Sequence, residues 1–213
     1  IVLSLLLLSG IQVWSQQQWD RPMQLKSCRI DIKSDEFTAT TFIEMEFYNP
    51  NNREIEGLYR FELKPGQVIT AFQLDLHGKY RDGSIEEKWK ATNAYNTIVG
   101  KRIDPALLTM EYADHYSLRI YPVPPKGSRK VTMTIQQLLT AGKSDYLYSL
   151  PLNINDTVQH FRLNISVNGD LNPAARPGLI ANRSFSIMDQ QYGLEWNTGN
   201  ILLRSPITFS IPV

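Results

Sequence analysis

Apolar side chains recur at every second position along most of this 213-residue chain, which commits the backbone to extended strands whose two faces differ. The longest run is Phe37, Ala39, Thr41, Ile43, Met45 and Phe47, with Glu44 and Glu46 on the opposite, solvent-facing side. The same period holds over Cys28, Ile30 and Ile32, over residues 58–63, 68–76, 116–123 and 130–139, and over Phe161, Leu163, Ile165 and Val167. Turn clusters punctuate these runs at Asn49-Pro50-Asn51-Asn52, Pro65-Gly66 and Pro124-Pro125-Lys126-Gly127. The last of these is predicted to join 116–123 and 130–139 as a hairpin. Residues 147–151 and shorter stretches at 183–188, 192–196, 201–204 and 207–211 read as further strands. Short turns, with too few helices for parallel crossovers, imply a mainly β fold, an antiparallel β-sandwich.

One segment departs from the period. In residues 78–108, Ser84 and Glu87 have the spacing of a capping box, S-x-x-E. Ile85, Trp89, Tyr95, Ile98 and Val99 then fall mostly on one helical face, and Gly100 supplies a left-handed stop. Asp104 and Pro105 have the character of a second helix start. The spacing predicts one capped α-helix and a short second helix inserted between strands, with Glu86 and Glu87 in the first turn, where carboxylates favour the helix dipole.

These residues carry a family resemblance. Gly78, Gly83, Glu87-Lys88, Ala91, Tyr95, Gly100 and Pro105-Ala106-Leu107-Leu108 resemble the central signature of the VIT domain, named for vault protein and inter-alpha-trypsin inhibitor heavy chains. Phe47-Tyr48-Asn49 upstream resembles its strand ending in Phe-x-Asn, and residues 59–65 resemble its F-x-x-x-P strand, with Lys64 interrupting the Leu-Pro step. Downstream, residues 116–123 resemble its F-x-v-x-v-x-p-i strand. The resemblance implies a VIT domain over residues 25–141 and a β-rich extension over 142–213, packed on or following it. It also implies that a von Willebrand A domain follows. Bacterial members that resemble components of exosortase-type sorting systems have several membrane spans, with which the N-terminal stub is compatible.

Residues 1–14, IVLSLLLLSGIQVW, carry no charge and are short for a membrane span of about 20 residues. Residues 1–15 are read as a signal peptide or the end of a transmembrane helix, and 16–24 as a polar linker. Either alternative places the remainder as exported: periplasmic, cell-surface or secreted, or anchored to a membrane through that segment. The single cysteine, Cys28, forms no intrachain disulfide and reads as an inward-facing strand residue. So few cysteines in an exported domain suit a bacterial envelope protein. Sequons occur at Asn155, Asn164 and Asn182.

The formal charge of +1, from 22 basic and 21 acidic residues, leaves no electrostatic footprint for nucleic acid. No nucleophile elbow, H-E-x-x-H, C-x-x-C or phosphate loop occurs, and His77, His115 and His160 stand far apart. No catalytic, cofactor-binding or metal-binding residues are expected. The expected function is a non-catalytic protein–protein interaction and scaffolding module, with Tyr112, His115 and Tyr116, at the end of the second predicted helix, as its candidate interaction surface. One alternative is a carbohydrate-binding β-sandwich of the cell envelope, which requires Trp or Tyr rings such as Trp89 and Trp196 to form a flat exposed platform. Another is an enzyme whose site gathers His115, Asp114 and Glu111.

Overall fold

A computed structural model of the chain describes residues 20–35, 37–76, 78–87 and 106–213. The described residues form strands β1 (Gln24–Asp35), β2 (Thr38–Tyr48), β3 (Ile55–Glu62), β4 (Gln67–Leu76), β5 (Lys79–Asp82), β6 (Ser84–Glu87), β7 (Ala106–Tyr112), β8 (His115–Val123) and β9 (Ser128–Leu138). They continue with β10 (Thr140–Ala141), β11 (Asp145–Leu150), β12 (Thr157–Val158), β13 (His160–Asn168), β14 (Ala174–Ala175), β15 (Ser186–Met188), β16 (Gln191–Thr198), β17 (Ile201–Leu202) and β18 (Ile207–Pro212).

Eight strands build one sheet in the order β15-β16-β13-β1-β2-β9-β4-β5. Two four-stranded sheets, β3-β8-β7-β6 and β10-β11-β18-β14, and the pair β12-β17 complete the fold. Neighbours run antiparallel except β1 with β13 and β6 with β7, which are parallel. The alternation read in the sequence becomes register. Trp196, Leu163, Ile30, Ile43, Met133 and Phe72 stand side by side across six strands, and Leu194, Ile165, Ile32, Thr41, Ile135 and Ile69 form the next row. Most of these side chains are below a tenth exposed, as is Cys28 one row further along. This inner face meets β3 where Phe47 and Tyr59 lie 5.3 Å apart, and β11 where the Thr41 and Tyr148 hydroxyls are 2.7 Å apart.

Three expectations are corrected. Ser84–Glu87 is a strand rather than the first turn of a helix, because its backbone pairs in parallel with β7, Ser84 opposite Leu107 and Glu87 opposite Met110. The second predicted helix is likewise the strand Ala106–Tyr112. Leu107, Leu108 and Thr109 are all buried, so both faces of β7 are covered. A strand covered on both sides loses the alternation that separates it from a buried helix, and the partner strands decide the outcome. The rest of the predicted helix, with Trp89, Tyr95, Gly100, Asp104 and Pro105, lies outside the described residues. Finally, β8 and β9 do not pair as a hairpin: β8 joins β3 and β7, whereas β9 joins β2 and β4. The Pro124–Gly127 loop therefore crosses between the two layers.

Asn49, completely buried, holds that crossing. Its Nδ2 donates to the carbonyls of Arg53 at 2.7 Å, Val123 at 3.0 Å and Pro124 at 3.1 Å, while its Oδ1 accepts from the Asn51 backbone at 2.8 Å. Its backbone N–H donates to Gly127 O at 2.9 Å. The Phe-x-Asn pattern thus ends a strand with a side chain that satisfies carbonyls of two loops and of the last residue of β8. Asn49→Ala leaves these groups unpaired in the interior and is expected to cost about 3 kcal/mol in urea unfolding, with an unchanged m value. A loss under about 1 kcal/mol would contradict this role.

Burial pushes the Cys28 thiol up to about 12 from an ordinary value of 9.0, and raises the fully buried Tyr148 hydroxyl as well. Both groups stay neutral in the fold while the unfolded chain ionises first. Their contribution is therefore intact below about pH 9 and lost as pH rises towards 12, with a slope of at most ~1.4 kcal/mol per unit for each group. Urea midpoints measured from pH 8 to 11 are expected to fall above pH 9, and to fall less steeply in Cys28→Ala.

Candidate functional site

The predicted surface lies at the turn between β7 and β8. Tyr112 pairs with His115 across the two residues Ala113 and Asp114, and Ala113 adopts φ of 42°. A register shift between Met110 and Tyr112 leaves Glu111 as the extra residue of a bulge, where its Oε1 accepts from Ser117 Oγ at 2.7 Å. Leu63 N donates to Asp114 O at 2.9 Å and ties the turn to the end of β3. Bulges of this kind re-aim side chains at the end of a ladder.

The structure brings two of the three predicted residues together and separates the third. Tyr112 is 66% exposed, and its ring stacks on His115 with centroids 4.3 Å apart and planes 19° from parallel. His115 Nε2 stands 3.8 Å from Glu62 Oε2, while its buried Nδ1 meets no protein partner. Tyr116 instead ends an inward stack, 5.5 Å from Phe61, which is 5.8 Å from Tyr59, which in turn reaches Phe47 in the large sheet. Partial burial, and then the nearby Asp114 charge, hold the Tyr116 hydroxyl above its usual value.

The residues of the enzyme alternative each have a contact of their own. Glu111 engages Ser117, His115 faces Glu62, and Asp114 contributes its backbone carbonyl. Among the described residues, no three His, Cys, Asp or Glu side chains gather closely enough to hold a metal ion. Nor do the described aromatic rings assemble the platform of the carbohydrate alternative. Trp196 has the Arg183 guanidinium over its face at 3.7 Å and the Phe161 ring nearly perpendicular to it at 5.4 Å. The exposed Tyr80 and Tyr112 belong to different sheets, and Trp89 lies outside the described residues.

A second feature escaped the sequence reading. The outer face of the large sheet carries an open groove of about 630 Å³. Across its floor Glu195, Asn164, Asp31, Phe42 and Thr134 stand in one row on five adjacent strands. Asn164 Nδ2 donates to Asp31 Oδ1 at 2.7 Å, and Arg29 pairs with the other oxygen at 2.7 Å. At one edge β15 and β16 turn through Asp189 and Gln190, with φ of 49° and 67°, the left-handed pair that suits a two-residue hairpin. This brings Met188 over Gly193, where a Cβ would come within 2.8 Å of the Met188 sulfur. The available signal was the polar half of each alternating strand, which marks a solvated face but not its curvature.

The family described as "Vault protein inter-alpha-trypsin domain" matches residues 25–135. A von Willebrand factor A domain-containing protein of Dictyostelium discoideum is 26% identical over 127 residues, which is 60% of this chain and 14% of that protein. Inter-alpha-trypsin inhibitor heavy chain H4 of Bos taurus is 25% identical over 169 residues, 78% of this chain and 18% of that one. The chain thus spans less than a fifth of the length of these curated relatives. Among solved structures, a putative nutrient binding protein from Legionella pneumophila superposes with a TM-score of 0.55 at 14% identity, covering 90% of this chain and 67% of that one. At that identity the likeness is one of fold.

The β7–β8 turn lies within the matched residues, and its side chains divide by their ring contacts: Tyr112 and His115 stack on each other at the turn, whereas Tyr116 joins the stack of Phe61 and Tyr59. Tyr112→Ala and His115→Ala are expected to shift stability by about 0.5 kcal/mol or less, as surface changes do. Tyr116→Ala opens the ring stack and is expected to cost about 2 kcal/mol or more. Urea unfolding of the three variants checks this division, and equal losses would contradict it.

Proposed function

The chain belongs to the vault protein inter-alpha-trypsin (VIT) family, and from that premise we propose that it is a non-catalytic protein–protein interaction and scaffolding module of an exported or membrane-anchored protein, preceding a von Willebrand A domain. The observation that carries the interaction reading is the Tyr112–His115 pair. A large ring, 66% exposed, is held in a fixed stack at a turn anchored to β3. Rigid exposed aromatics lose little entropy on contact, and Tyr is enriched among residues that dominate binding energies.

The non-catalytic reading is supported by where shifted protonation occurs. Burial is the first cause of the shifts at Cys28, Tyr59, Tyr80, Tyr116 and Tyr148, with Glu44 adding to it at Tyr80 and Asp114 at Tyr116, and Asp20 is held low by the exposed Arg53 beside it, a pattern of packing and surface pairing rather than of acid–base chemistry. The von Willebrand A neighbour is supported by the Dictyostelium relatives, which are named for that domain and extend far beyond the matched stretch. Export or anchoring is supported by the uncharged apolar stretch at residues 1–14.

The test is affinity capture from extracts of the source cells with the immobilised full chain, quantified by mass spectrometry. A Tyr112→Ala/His115→Ala double variant is expected to lose about nine-tenths of the enriched partner signal, whereas Lys143→Ala, an exposed change near β10, retains it. A partner set captured equally by the double variant would overturn the hairpin as the docking surface. Capture of no protein at all would overturn the interaction reading.

A further inference from the structure

The groove on the outer face of the large sheet lies apart from the β7–β8 turn, which belongs to another sheet. Its chemistry is unlike that of a surface prepared for apolar docking. The row Glu195, Asn164, Asp31, Phe42 and Thr134 alternates hydrogen-bonding groups with a single aromatic ring, at the spacing of about 4.8 Å between neighbouring strands. Thr40 and Ser166 extend the polar floor one row along, and Met188 walls one edge.

The charges narrow the ligand class. Arg29 and Lys33 face Asp31, Asp189 and Glu195 in the lining, and Arg29 is already paired with Asp31 at 2.7 Å. What remains is one cation against two carboxylates, which disfavours phosphate or another anion. The paired groups also offer no concentrated field for a cation. The floor is ordered before any ligand arrives: Asn164 Nδ2 is committed to Asp31, and Ser166 Oγ donates to Gln191 Oε1 at 2.5 Å. Asn164 Oδ1, shielded from solvent, accepts from no protein donor. Carboxylate, amide and hydroxyl groups around one ring match a ligand that carries many hydroxyls, no net charge and an apolar C–H face.

We propose that this groove binds a neutral oligosaccharide, with the C–H face of one sugar ring against Phe42 and its hydroxyls donating to Asp31 and Glu195. A volume of about 630 Å³ lies within the range of small-ligand sites and accommodates a short oligosaccharide. The platform anticipated in the sequence, built of Trp and Tyr rings, is not the binding element. Its place is taken by one ring set in a row of polar side chains. The site does not depend on the hairpin reading, and the Tyr112→Ala/His115→Ala variant is expected to bind sugar unchanged.

The test is titration of the ¹⁵N-labelled full chain with maltotriose, cellotriose and triacetylchitotriose, followed by amide chemical shifts. The expected result is saturable binding of at least one of them, with shifts concentrated at Thr40, Phe42, Asn164 and Glu195. Phe42→Ala is expected to weaken binding about tenfold, through loss of the stacking face. Because that change could disturb folding, Glu195→Gln serves as a second variant: it keeps side-chain size and is expected to weaken binding several-fold with an unchanged spectrum elsewhere. Absence of saturable shifts with all three sugars, or shifts confined to residues outside the groove, would overturn the proposal. So would tighter binding of a sulfated oligosaccharide at the same residues.

Discussion

The fold depends on β1 being hydrogen-bonded along both edges. On one side it runs antiparallel to β2, its immediate successor, and on the other parallel to β13, with Ser27 opposite His160 and Asp35 opposite Asn168. A parallel pair cannot be closed by a tight turn, and here the chain passes through most of the other strands before β13 arrives. Cys28, Ile30 and Ile32 are at most 2% exposed, so a one-residue slip would turn the best-buried side chains of the sheet outward. The rows that cross the inner face, from Trp196 to Phe72, exist only because both registers hold together. The family match ends at residue 135, yet two of the strands that complete its sheet, β13 and β16, come from beyond it.

That arrangement places the candidate sites. The inner face is occupied by packing against β3 and β11, through the Phe47–Tyr59 contact and the Thr41–Tyr148 hydroxyl pair. Recognition is left to the rims and the outer face. At one rim, the Leu63–Asp114 hydrogen bond and the bulge at Glu111 set Tyr112 and His115 outward while Tyr116 continues the ring stack inward. On the outer face, the curl of the β15–β16 edge over Gly193 turns one side of the sheet into a groove. Both features are local departures from a regular ladder, set on strands that are paired along their length.

How much of this was legible follows from what periodicity can encode. Strands with one wet face announced themselves: β2 and β13 alternate cleanly, and Cys28 faces inward as its neighbours imply. One of the resembling motifs, Phe-x-Asn, was legible for a related reason: it sits at a strand end, where the Asn49 side chain has specific bonds to make. The helix expectation failed over Ser84–Glu87 because a four-residue cap pattern is weak against a partner strand, and over β7 because both its faces are covered. The β8–β9 hairpin failed because a short Pro-rich loop can cross between layers as readily as it can reverse within one. At the candidate surface, composition identified Tyr112 and His115, but only strand register separates them from Tyr116. The groove was invisible because Asp31, Phe42, Asn164 and Glu195 lie far apart in sequence and meet only through the β1–β13 pairing.

The β1–β13 pairing is the link that makes one body of the family region and the strands beyond it. Native-state hydrogen exchange, resolved by residue in increasing denaturant, tests it most directly. The amides of β1, β2 and β13 that bond within the large sheet are expected to converge on one opening free energy, that of global unfolding. Exchange of β13 at a distinctly lower free energy, with β1 and β2 still protected, would show that the family region stands without it and would contradict the account.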